Sequence, residues 1–98
     1  MKIWALERNK QKIKNQLIFE YPTPTAWTVD ILSDLLTAPC QAMDMSRPVV
    51  LSKHVEEMER IGRVVFRRAD FLETVLFDTF EVEALDQEKE KANSTQWA

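Results

Sequence analysis

Apolar and polar residues in the first quarter of the chain alternate with the period of two that marks a strand buried on one face. Between residues 13 and 21, Ile13, Leu17, Phe19 and Tyr21 fall on one side and Lys14, Gln16 and Glu20 on the other, with Asn15 and Ile18 breaking the pattern. Lys2 to Glu7 has the composition of a second strand. The connection Asn9-Lys10-Gln11-Lys12 is short, polar and opens with a residue that tolerates positive φ, so an antiparallel hairpin is expected.

Pro22 and Pro24 close that hairpin, because each lacks an amide donor and keeps its predecessor out of helical space. An amphipathic helix is expected next, with Thr25 as its N-cap. Asp30, Ser33, Asp34, Thr37 and Gln41 form its polar stripe, opposite Ile31, Leu32, Leu35 and Leu36. Pro39 conflicts with an unbroken run to Met43, so the helix either stops near Thr37 or gives way to a second turn opened by Pro39. Ser46 to Leu51 reads as a brief extended segment. Ser52 is the expected N-cap of a short helix through Ile61, with Val55, Met58 and Ile61 inward and Gly62, the single glycine, as its stop.

Val64, Val65 and Phe66 suit a strand flanked by arginines, and a last strand is expected from about Thr74 to Leu85. There Leu76, Phe80, Val82 and Ala84 would oppose Val75, Phe77, Thr79, Glu81 and Glu83. Leu72, Leu76 and Phe80 also recur at helical spacing, but Thr, Val and Phe in the centre favour strand. The expected fold is α+β: one small domain over residues 1–86, with a mostly antiparallel sheet made from the N-terminal hairpin and two C-terminal strands, and one or two amphipathic helices on one face. Residues 87–98 lack an apolar stripe and read as a polar, disordered tail.

Composition agrees with a folded domain, at 45% hydrophobic and 30% charged residues in 98. A lone cysteine, Cys40, excludes an internal disulfide, and Met1 to Arg8 turns polar too early for a secretory leader, so a cytoplasmic setting is expected. Apolar runs are too short to span a bilayer. The net charge of −3 is uneven: residues 1–24 carry five cations against Glu7 and Glu20, and both later parts are acidic. Such a balance argues against a dedicated nucleic-acid binder, although two local basic stretches remain.

Candidate chemistry is sparse. Cys40 and His54 are the single thiol and single imidazole, fourteen residues apart, and a cysteine among Ala38, Pro39, Ala42 and Met43 reads as a small core residue. One glycine rules out a GxGxxG or P-loop, and no zinc or calcium pattern occurs, so no cofactor or metal is expected. Glu81 and Glu83 share a strand face and read as a solvated pair, or as partners of Lys12 and Lys14. Trp4 and Trp27 are expected in the core, whereas Trp97 stands in the polar tail.

Elimination leaves a non-catalytic protein-interaction or accessory module acting through a sheet edge or an apolar patch, with a homodimer through a sheet edge as one form of that contact. The second reading is a nucleic-acid-binding module using Arg8, Lys10, Lys12 and Lys14 of the hairpin with Arg63, Phe66, Arg67 and Arg68, where Phe66 would stack a base. An enzyme using His54 as a base is third.

Overall fold

The computed structural model describes residues 1–85. The expected tail, Trp97 within it, and the far boundary of the domain lie outside the described residues. The architecture is α+β: strands β1 (Lys2–Asn9), β2 (Lys12–Glu20), β3 (Arg63–Arg67) and β4 (Thr79–Ala84) form one antiparallel sheet in the order β2-β1-β4-β3. Helices α1 (Val29–Leu35), α2 (Thr37–Ala42) and α3 (Ser52–Ile61) supply the other layer. Their Leu32, Leu35, Cys40 and Met58, with Leu36 between α1 and α2, meet Ile3, Ala5, Val64, Phe66, Phe80, Val82 and Ala84 from one face of the sheet.

The hairpin turns on Lys10 and Gln11, both at positive φ (54° and 69°), a conformation that matches the twist of two joined strands. Neither residue favours it, and Asp78 holds it from outside: its Oδ2 accepts from the Lys10 amide at 2.7 Å, while its own amide donates to the Arg8 carbonyl at 2.8 Å. A register shift follows between Glu7 and Arg8, where Lys14 is the extra residue on β2. It moves Ile13 off the face expected for it, so Ile13 opposes Arg8 on the helix-free side and is exposed. Leu17 and Phe19 do face the helices, paired with Ala5 and Ile3, but are only half-buried.

Thr28, not Thr25, caps α1, its Oγ1 accepting from the Ile31 amide at 3.1 Å. Pro39 sits in the first turn of α2, where its missing amide donor leaves no bond unmade, and Leu36 joins the two short helices. The 46–51 segment forms no strand; its Val49 amide donates to the Asp70 carbonyl at 2.7 Å. Leu51 replaces Ser52 as the cap of α3. Gly62 ends that helix at φ 71°, donating back to the Met58 carbonyl, as the sequence leads one to expect. Met58 is buried, but Ile61 is exposed, and His54 takes the inward place.

The last strand begins five residues later than its pattern implies. Phe71 and Phe77 turn inward and pack edge-to-face at 5.4 Å, which bends the 71–78 connection away from strand geometry and leaves Leu72 and Leu76 in solvent. The expected placement of Leu76 inward and Phe77 outward is therefore reversed. From Phe80 onward the alternation holds: Phe80, Val82 and Ala84 are buried in the core, and Thr79, Glu81 and Glu83 share the opposite face.

Candidate functional site

The sheet face without helices carries side chains from all four strands: Trp4, Leu6 and Arg8 of β1, Ile13, Gln16 and Ile18 of β2, Arg63 and Val65 of β3, and Glu81 and Glu83 of β4. Trp4 is half-buried here rather than in the core, its Nε1 donating to Gln16 Oε1 at 2.9 Å across the hairpin. Glu81 is the centre of the polar part, at 5% exposure. Its carboxylate accepts from Arg8 Nε and Thr79 Oγ1 at 3.0 Å each, and from Arg63 on the other side. Burial alone would push this carboxyl up, but the hydrogen bonds of Arg63 and Thr79 and the charges of Arg63 and Arg8 outweigh it, so the group lies below its usual range. Lys12 and Lys14 are not the partners of Glu81, because β1 stands between β2 and β4.

The residues of the nucleic-acid reading are largely engaged within the protein. Phe66 is fully buried between His54 and Phe80, so it cannot stack a base. Arg8 and Arg63 hold Glu81, and Arg68 donates to the Phe77 carbonyl and to Asp78. Arg67 is exposed, and Lys10, Lys12 and Lys14 line the tip and start of β2 at the opposite end of the strand order. The two basic stretches meet at shared carboxylates, Arg8 and Arg63 at Glu81 and the Lys10 amide and Arg68 at Asp78, so part of their charge is met within the protein.

His54 is buried, and its Nδ1 accepts from the Leu51 amide at 2.9 Å while the His54 amide donates to the Leu51 carbonyl. That is a helix-capping role filled by an imidazole. The proton of the neutral ring then sits on Nε2, which has no hydrogen-bond partner and stands 3.5 Å from Asp70 Oδ2. A cavity of about 180 Å³ lined by Lys53, His54, Glu57, Val65, Arg67, Ala69 and Asp70 adjoins it. Cys40 lines a different groove, with Thr37, Met45, Val49 and Leu72, and burial pushes its thiol up to about 11. The thiol and the imidazole are thus not brought together. Among the described residues no group of three or more His, Cys, Asp or Glu stands close enough to hold a metal ion, and no helix is long and apolar enough to cross a membrane.

The two edges of the sheet differ in a way the sequence did not reveal. On β3, the Ala84 amide donates to the Gly62 carbonyl, so alternate residues Val64 and Phe66 bond to β4, and Arg63, Val65 and Arg67 point their backbone outward. Two of those outward amides are taken: Val65 donates to Glu57 Oε1 at 3.0 Å and Arg67 to Asp70 Oδ2 at 2.8 Å. On β2, Met1 and Tyr21 exchange both backbone bonds, at 2.9 and 3.0 Å. Counting in twos, Phe19, Leu17 and Asn15 bond to β1, and Gln16, Ile18 and Glu20 direct their amides and carbonyls outward. No partner meets these outward groups among the described residues. Ile18 beside them is 58% exposed and Ile13 is 41% exposed.

No protein-family model, curated protein or solved structure matches this chain.

Proposed function

We propose that the protein is a small interaction module that binds by adding an extended segment to the free edge of β2. The observation carrying this reading is the asymmetry of the sheet: side-chain carboxylates cap β3, whereas the outward backbone groups of β2 meet no partner among the described residues and are flanked by exposed isoleucines. An unpaired edge is a template for another strand, with main-chain bonds giving affinity and side-chain contacts giving choice of partner. Residues 15–19, Asn-Gln-Leu-Ile-Phe, carry no charge or proline to deter it.

The groove beside Leu72, about 610 Å³, is the alternative, but half of its lining residues are polar and its exposed Arg47 donates to the Ser33 carbonyl and Thr37 Oγ1. Backbone groups free to pair make the edge the stronger candidate. A photo-crosslinking residue at position 18, compared with one at position 67 on the capped edge, tests the proposal in cells that make the protein. Adducts at 18 and few at 67 are expected. Equal yields, or none at 18, would remove the edge as a binding site.

A further inference from the structure

We infer that the segment added to β2 is the β2 of a second copy of this chain, paired antiparallel about a two-fold axis perpendicular to the sheet; this rests on the edge reading above.

Three features of the strand point to itself as partner. The first is charge: β2 opens on Lys12 and Lys14 and ends on Glu20, with an uncharged stretch between. Antiparallel self-pairing sets the lysine end of one copy alongside Glu20 of the partner subunit, and the reverse at the other end, so one pairing makes both attractions. Parallel pairing would put like charges together.

The second feature is incomplete cover on both faces of the strand. Leu17 and Phe19 on the helix side are half-buried because the helices meet the sheet over β1, β3 and β4, and Ile13 and Ile18 on the other side are exposed. A neighbouring strand of identical pattern continues both apolar rows, since residues opposite one another in an antiparallel pair share a face.

The third feature is closure. Joining two copies through β2 gives a continuous sheet of eight strands with β3 at each outer end, and those ends are the ones capped by Glu57 and Asp70. The contact therefore uses the open edge of each copy and offers no further one, which stops at a dimer rather than a fibre.

Sedimentation equilibrium of the full chain should give twice the 11.5 kDa of one chain. Hydrogen exchange should show the amides of Gln16, Ile18 and Glu20 protected more strongly as concentration rises. Ile18→Pro removes an outward donor without touching the ladder to β1 and should give a folded monomer. If that variant does not fold, charge reversal decides on side chains that are all exposed: Glu20→Lys alone should weaken dimerisation at least tenfold, and Glu20→Lys combined with Lys12→Glu and Lys14→Glu should restore it.

A mass near 11.5 kDa at every concentration overturns the inference, as does a dimer whose Gln16, Ile18 and Glu20 amides stay unprotected or whose strength ignores both charge variants. Crosslinking at position 18 separates this failure from that of the edge itself. Adducts to another protein with a monomeric purified chain keep the edge and reject the second copy, an adduct closed within one chain rejects the second copy, and no adduct rejects both.

Discussion

Single residues in this protein are defined less by their type than by what surrounds them. Cys40 is a thiol shut in the core, raised to about 11, and so held in its unreactive protonated form. Iodoacetamide near neutral pH should leave the native chain unmodified and label it fully in denaturant; rapid labelling of the folded protein would place the thiol at a reactive surface. Glu81 is a carboxylate kept ionised by two arginines. Its folded value lies below the ordinary 4.5, so its contribution is present above that value and is lost as pH falls through the lowered one. Glu81→Gln should cost about 1–3 kcal/mol at neutral pH, toward the lower end because both arginines are partly exposed. The difference from the parent should shrink in acid, as chemical denaturation at both pH values will show. An unchanged difference in acid would mean that packing, not charge, sets the cost.

At the scale of elements, the contrast between the two sheet edges makes a direct prediction. Glu57 lies on the inward-turned side of α3 and reaches the Val65 amide, so the helix both covers the sheet and seals its edge. Glu57→Ala should speed exchange of the Val65 amide by about tenfold or more, the loss of a hydrogen bond to a charged group being worth about 1.5–3 kcal/mol. It should also promote association beyond the parent's oligomeric state, visible by light scattering. If exchange at Val65 is unaltered, the carboxylate is not what protects that edge. The elements most legible in the sequence were those with local signals: the hairpin, the leucine stripe of α1 and the glycine stop of α3. Thr25 and Ser52 were plausible caps, but a cap depends on which residue first leaves extended geometry, and here Thr28 and Leu51 hold those places.

Across the whole molecule, one aromatic cluster ties the layers together. Phe66 meets His54 of α3 at 4.5 Å and Phe80 of β4 at 6.3 Å, and Phe71 and Phe77 close over Phe80 from the connection between strands. Phe66→Ala should cost about 3–5 kcal/mol, a large part of the 5–15 kcal/mol expected for a domain of this kind. At about 4–8 °C per kcal/mol the melting midpoint should fall by at least about 12 °C. A fall of a few degrees would contradict its place at the centre of the fold.

What the amino-acid sequence determined by itself was the α+β class, the antiparallel hairpin, the alternation from Phe80 to Ala84 and the fate of Cys40 as a core residue. All of these follow from periodicity and composition within short windows. Tertiary structure alone decided the rest. Ile13 changed face because Lys14 is an extra residue in the pairing of β2 with β1, beside a turn that Asp78, 65 positions beyond Ile13, holds from another strand connection. Leu76 went outward because Phe71 and Phe77 found each other. Glu81 found Arg8 and Arg63 because the sheet order sets β4 between β1 and β3. The candidate site is of this second kind. An edge is open or capped according to which strand ends the sheet and which side chains from other elements reach it, and neither is written in the local pattern of the strand.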